Sequence, residues 1–195
     1  MLIALIPAYN PVENFPEYIE QLIDSSMFHH ILVVNDGSAV QYGAIFKSVM
    51  RFKSVTVLSH TVNQGKGAAL KTGFIEVISR FPGAAGVVTM DADGQHAVKD
   101  VCHVAEILRM HPNQLILGGR HFDHDTPARS AFGNFLTRHV FKWVTQVKLF
   151  DTQSGLRGIP FGLMRRILAI KSNGYEFEVE MLIQAPRSGF GFRRF

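Results

Sequence analysis

The stretch 86–96, GVVTMDADGQH, joins an uncharged, β-branched run to three oxygen-bearing side chains, Asp91, Asp93 and Gln95, spaced two apart. The apolar half has the length and composition of a strand buried on both faces. If the backbone stays extended beyond it, alternate residues share a face and the three oxygens point one way. Two carboxylates and an amide oxygen suit a hard divalent cation that keeps positions open for phosphate oxygens. The competing reading is a solvated turn with an Asp capping the helix at 97. An EF-hand does not fit, because Gly94 is the fourth residue of the run and no distal Glu follows.

Outward from this stretch the same pattern repeats. Apolar runs at 2–7 (LIALIP), 31–36 (ILVVND), 55–60 (VTVLSH), 86–91 (GVVTMD) and 115–120 (LILGGR) read as strands. Helical periodicity fills the intervals: VENFPEYIEQLIDS, GAIFKSVMRF, GKGAALKTGFIEVISRF and VKDVCHVAEILRM. Buried strands alternating with helices predict an α/β fold with a mostly parallel central sheet, whose ligands lie beyond the carboxyl ends of the strands. Polar, glycine-rich segments follow each strand: PAYNP, NDGS, HTVNQGKG, DADGQH and GGRHFD. After residue 120 a long helix (TPARSAFGNFLTRHVFKWVTQVKLF), a loop (DTQSGLRGIP) and two further helices (FGLMRRILAI and YEFEVEMLIQAPRSG) predict a helical cap.

Composition bounds the rest. The chain of 195 residues is 47% hydrophobic and 18% charged, which suits one domain with a sizeable core. Its one cysteine, Cys102, excludes an internal disulfide framework and reads as a small helix residue. A net charge of +4 favours anionic partners such as nucleotides, phosphates, acidic lipid or nucleic acid. The opening MLIALIPAYN carries no signal-peptide pattern, and no run approaches the roughly 18 apolar residues of a spanning helix. Membrane attachment is therefore expected to be peripheral or through a separate membrane protein.

Two loops add to the acid triplet. Asp36 ends a buried strand, where it suits a base N–H or, taken alone, a turn capped by Ser38. Lys66 stands between two glycines at a helix start, a suitable place for an anionic group. Neither the Walker A spacing nor G-x-G-x-x-G is present.

In this order, IPAYNP, VVNDGS, NQGKGAALKTGF, DADGQH, GGR and DTQSGLRG resemble a family 2 glycosyltransferase of the GT-A fold. The resemblance is to its dolichyl-phosphate mannose synthase-like, polyprenyl-phosphate sugar synthase branch, and it runs to about residue 184. It implies a single domain over 1–195, with a nucleotide-binding half to about 120 and an acceptor-side helical part from about 121. It also implies an inverting enzyme of cell envelope glycan synthesis that uses Mg²⁺ or Mn²⁺. Such an enzyme moves a sugar from a UDP- or GDP-sugar to a polyprenyl phosphate at the cytoplasmic face of the membrane, and needs no nucleic acid.

By position, the resemblance assigns Pro7, Tyr9, Val34, Asp36, Lys66, Asp91, Ala92 and Arg120 to the nucleotide sugar, and Asp93 and Gln95 to the metal. Arg129 and Arg138 fall to the acceptor phosphate or to a solvated helix face. Asp151 is the candidate base or a cap. Pro11 and Asn35 depart from the family pattern, where acids are common. The chain stops where relatives continue into a further strand and more donor contacts, so a truncated C-terminus is expected, with Arg187, Arg193 and Arg194 as substitutes. Glu176 and Glu180, four apart, share a helix face that is either active-site or solvated. Phe132, Phe135, Phe141 and Trp143 suit either a bilayer interface or packing on the sheet. The alternatives in function are a sugar nucleotidyltransferase, and a truncated nucleotide-binding relative without turnover.

Overall fold

A computed structural model describes residues 1–118 and 155–194. Among the described residues seven strands form one sheet: β1 (Leu2–Ala8), β2 (His30–Asn35), β3 (Val55–Ser59), β4 (Gly86–Thr89), β5 (Gln114–Leu117), β6 (Arg157–Pro160) and β7 (Gly191–Arg194). The order across the sheet is β3-β2-β1-β4-β6-β5-β7. Strands β1 to β4 pair in parallel, β7 runs parallel to β5, and β6 is antiparallel to both β4 and β5. The α-helices among the described residues are α1 (Phe15–Asp24), α2 (Gly43–Val49), α3 (Lys66–Arg80), α4 (Val98–Met110), α5 (Phe161–Ile167) and α6 (Glu176–Arg187).

Strand alternation divides the core in two. Leu2, Ala4 and Ile6 of β1 face one side with Ile31 and Val33 of β2, against Phe15, Ile19 and Leu22 of α1 and Val101, Val104 and Leu108 of α4. Ile3 and Leu5 face the other with Leu32 and Val34, against Leu70, Phe74 and Val77 of α3 and Phe177 and Met181 of α6. Each helix buries residues three or four apart, one stripe toward the sheet. Full burial of side chains such as Phe15, Phe74 and Phe177 stabilises by about 1.5–3 kcal/mol each.

Three sequence readings change. Residues 155–160 do not all form a loop, because Arg157–Pro160 is a strand between β4 and β5. The part after residue 121 is accordingly not purely helical, since β6 and β7 belong to the same sheet. Residues 91–95 do not continue β4 as extended chain. Ala92 and Asp93 form a turn, Gly94 takes φ 70°, and the Asp93 carboxylate accepts from the Gln95 N–H at 3.0 Å. The spacing of two therefore places no three oxygens on one strand face.

The chain steps from β1 outward to β2 and β3, then returns to place β4 on the other side of β1. That reversal opens a crevice beyond the carboxyl ends of β1 and β4, the general ligand position in such sheets.

Candidate functional site

A cleft of about 740 Å³ occupies this crevice. Its walls come from the loop after β1 (Tyr9, Asn10, Pro11, Val12), the ends of β2 and β4 (Asp36, Asp91, Ala92, Asp93), the start of α3 (Gly65, Lys66) and the start of α6 (Tyr175, Glu178).

The first two loops brace each other. Ser38 Oγ accepts from the Asn10 N–H at 2.9 Å, and Asn10 Oδ1 accepts from the Ala39 N–H at 3.1 Å. Asn35 Oδ1 takes the Ser38 N–H at 2.9 Å, so this residue caps the turn. Gly37 has φ 70°, and a methyl there would overlap the backbone of Val62 and Asn63.

Asp36 is 3% exposed. Its Oδ1 lies 2.7 Å from His60 Nδ1 and accepts from the Gln64 N–H at 2.9 Å, while Oδ2 accepts from the Gly65 N–H at 2.9 Å. Facing a carboxylate, Nδ1 is the donor, and His60 Nε2 meets Thr72 Oγ1 of α3 at 2.9 Å. Asp36 thus fastens the 60–65 loop at the cleft, beside any contact it makes with a ligand.

Lys66 opens α3 and is held by two carboxylates. Its Nζ lies 2.7 Å from Asp91 Oδ1 and 2.9 Å from Glu178 Oε2. The start of α3 is stitched to the segment before α6: the Ala68 N–H donates to Asn173 O at 3.0 Å, and Lys71 Nζ donates to Ser172 O at 2.8 Å. Gly67 lies so close to Phe177 and Asn173 that a side chain would overlap them. Behind Glu178, the buried Arg157 donates from Nη1 to the Glu178 carbonyl at 2.6 Å and places Nη2 3.7 Å from Oε1. Asp91, Lys66, Glu178 and Arg157 form a chain of alternating charge across four elements. Gly155 faces Asp91 directly, and a side chain there would strike the carboxylate.

Burial alone lowers the Lys66 ammonium, but Glu178 and Asp91 outweigh it and raise it above the ordinary lysine value. Burial alone raises the Asp91 carboxyl, but His96 and Lys66 outweigh it and hold it well below the usual carboxylate range. His96 Nε2 stands 3.6 Å from Asp91 Oδ2, an ion-pair distance when the imidazole is protonated. A depressed carboxyl stabilises the fold fully above its ordinary value of 3.8, and that contribution is lost as pH falls from there toward the folded value. Asp91→Asn is expected to flatten the acid limb of a urea-unfolding profile below about pH 4. An acid limb identical to wild type would show that the pairing of Asp91 with His96 and Lys66 adds no stability.

Of the residues singled out in the sequence, Pro7, Tyr9, Asp36, Lys66, Asp91, Ala92 and Asp93 meet at this cleft. Val34 is fully buried in the core of the α3 face and does not line it. Gln95 is exposed and lies next to the Asp93 turn. Arg120, Arg129, Arg138 and Asp151 lie outside the described residues, as do Phe132, Phe135, Phe141 and Trp143. Glu176 is exposed and Glu180 half-buried, and neither lines the cleft. The carboxylate of α6 that reaches it is Glu178, between them. His96 and Arg157 stand within the DADGQH and DTQSGLRG motifs but were not singled out there, and Glu178 and His60 were not singled out either. The available signal was position, since His60 ends β3 as Asp36 ends β2. Among the described residues no three His, Cys, Asp or Glu side chains are gathered as a metal cage.

Residues 3–169 match the family model described as glycosyl transferase family 2. The polyprenol monophosphomannose synthase of Mycolicibacterium smegmatis is 28% identical over 196 residues, covering 96% of this chain and 73% of that protein. The undecaprenyl-phosphate mannosyltransferase of Micrococcus luteus is 29% identical over 199 residues, covering 96% and 79%. Among solved structures, glucosyl-3-phosphoglycerate synthase from Mycobacterium tuberculosis, in complex with Mn²⁺, UDP and phosphoglyceric acid, superposes with a TM-score of 0.74. The identity there is 16%, over 100% of this chain and 67% of that one.

Proposed function

The chain belongs to glycosyl transferase family 2, and from that premise we propose that it moves a sugar from a UDP- or GDP-sugar to a polyprenyl phosphate, with inversion and with a divalent cation. The carrying observation is the crevice between β1 and β4, where Asp91 and Asp93 stand beside the aromatic wall of Tyr9. The lipid acceptor is supported by two relatives named for polyprenol and undecaprenyl phosphate chemistry. Family membership argues against the nucleotidyltransferase alternative, whose glycine-rich basic loop after the first strand is here PAYNP.

The donor atoms fit a hard cation. Among the described charged side chains lining the cleft, Asp36, Asp91, Asp93 and Glu178 oppose one cation, Lys66. A diphosphate enters such a wall favourably only with added positive charge. Asp93 and Gln95 would hold Mg²⁺ or Mn²⁺, and the glucosyl-3-phosphoglycerate synthase was crystallised with either ion and UDP. When bound, the ion neutralises the diphosphate and favours its departure.

The chain's own residues do the rest. Pro7 and Tyr9 flank the base, Asp36 holds the 60–65 loop beside it, and Asp91 and Ala92 border the sugar. The acceptor phosphate oxygen attacks the anomeric carbon as the bond to the donor phosphate breaks and the nucleoside diphosphate leaves. That oxygen is largely ionised at neutral pH, since a phosphate monoester has its second pKa near about 6, so proton removal is not demanded of Asp151. Arg120, with Arg129 or Arg138, is assigned to the phosphates facing the metal. No helix among the described residues is long and apolar enough to cross a membrane. Contact with the lipid is assigned to a peripheral position on the inner face, on the strength of the lipid-phosphate relatives.

A thermal-shift panel tests the reading. UDP or GDP at millimolar concentration is expected to raise Tm, and more so with Mn²⁺ or Mg²⁺, since a ligand at about 100 times its Kd adds about 2.7 kcal/mol. A Tm unmoved by every nucleotide and metal pair would overturn it. Transfer of labelled sugar to a short polyprenyl phosphate then separates an enzyme from a nucleotide-binding relative without turnover.

A further inference from the structure

Lys66 stands where a free ammonium would bind a phosphate, at the glycine-flanked start of a helix of fifteen residues. It is not free. An ammonium has three N–H donors, and two of them point at Asp91 and Glu178, at 2.7 and 2.9 Å. The Tyr175 ring lies on another side, 5.9 Å from Nζ to its centroid. The Lys66 side chain is 15% exposed and Glu178 11%, so water screens this pairing little. Two carboxylates around one ammonium leave Lys66 no unopposed positive charge to offer the cleft, and Arg157 behind Glu178 balances the remaining negative charge. Asp91 sits beside Asp93 on the same turn and has its own second partner in His96. Glu178 comes from a different element, held from behind by Arg157, and it is the carboxylate whose removal leaves Asp91 and Asp93 untouched.

We propose that Glu178 is a positioning residue that makes nucleotide binding in this cleft depend on the divalent cation, by holding Lys66 on Asp91 and away from the donor diphosphate. The inference rests on the nucleotide-sugar reading of the cleft. With Glu178 in place, the cleft offers the phosphates little unopposed positive charge from Lys66, and the added cation supplies it. With a neutral residue there, Lys66 is paired with Asp91 alone and turns its remaining donors to a phosphate oxygen.

Glu178→Gln keeps the shape and an oxygen acceptor for Lys66 but removes the negative charge, and with it the Coulomb attraction that holds the ammonium. The experiment is a double-mutant cycle of wild type, Lys66→Met, Glu178→Gln and the double variant, read as UDP and GDP affinity by calorimetry in EDTA and again in Mn²⁺. Glu178→Gln is expected to bind nucleotide more tightly in EDTA and to gain less from Mn²⁺ than wild type. Lys66→Met is expected to cost about tenfold more affinity in the Glu178→Gln background than in wild type, a coupling within the range of residues in contact. Purely additive effects in EDTA would overturn the proposal, because a general change of field needs no released lysine. A second measurement needs no variant at Glu178. The ¹⁵Nζ signal of Lys66, assigned by its loss in Lys66→Met, is expected to stay in place when UDP is added to wild type without metal, and a shift would overturn the proposal. If wild type binds no nucleotide even with Mn²⁺, it is the nucleotide-sugar reading that fails. If wild type binds and the cycle is additive, the role of Glu178 alone fails.

Discussion

Asp93→Ala is expected to lower sugar transfer at millimolar Mn²⁺ by about 100-fold or more while leaving Tm within roughly 2 °C of wild type. Asp93 sits in a turn after β4, outside both core clusters, and its one described hydrogen bond is to the adjacent Gln95 N–H. Loss of such a contact at an exposed turn falls within about 0.5 kcal/mol of neutral. The functional loss comes from the chemistry assigned to it. Removing an outer partner of a metal ligand already costs about 10–100-fold in affinity or activity, and Asp93 is placed in direct contact with the ion. The same variant is expected to bind UDP or GDP equally in EDTA and in Mn²⁺. If Asp93→Ala retains the wild-type gain from Mn²⁺, the ligand assignment is wrong, and Asp91 becomes the carboxylate to test.

The sheet was legible where its central strands, β1, β2 and β4, are buried on both faces. Runs such as LIALIPA and HILVVN leave no polar face to confuse the period, and their alternation already divides the two cores. Of the two strands that sequence reading missed, Arg157–Pro160 and Gly191–Arg194, the first holds glycine and proline, ordinarily loop signals. Its glycine answers to tertiary packing: a side chain on Gly158 would press against Ile116 and Val104. Gly86 on the facing strand is needed for a similar reason, since a side chain there would overlap the Ile159 carbonyl. The acid cluster was legible as a site and illegible as geometry. The extended reading of 91–95 neglected that Gly94 takes a positive φ and that an Asp two residues before a backbone N–H readily closes a turn. In α6 the spacing of four drew attention to Glu176 and Glu180. The buried stripe instead runs through Phe177, Met181 and Ala185, and Glu178 borders it. Only the packing of α3 against α6 shows that this carboxylate meets Lys66.

Asp36→Asn separates holding the loop from touching the base, and is expected to lose both stability and nucleotide affinity. Asp36 is 3% exposed and faces three donors: His60 Nδ1 and the Gln64 N–H at one oxygen, the Gly65 N–H at the other. An amide has one oxygen and one NH₂, so in either orientation a donor faces a donor. The new amide NH₂, buried and turned on a donor, goes unsatisfied at a cost of about 1–3 kcal/mol, and each kcal/mol lowers Tm by roughly 2–4 °C in a chain of this size. A fall of about 4–8 °C is therefore expected for one donor displaced at about 2 kcal/mol, against almost none for Asp93→Ala. Amide exchange at Gln64 and Gly65 is expected to quicken in the same variant. The nucleotide arm then decides how Asp36 acts on binding. If it acts by fixing the 60–65 loop at the cleft, then UDP, GDP and a base-free ribose diphosphate lose affinity in similar proportion. If it acts by accepting a hydrogen bond from the base, ribose diphosphate is unaffected while the nucleotides weaken. The two hydrogen bonds that Asp36 receives from the loop backbone, with His60 fastened in turn to Thr72, favour the first outcome. A wild-type Tm together with a loss confined to the nucleotides would refute it and return Asp36 to the base.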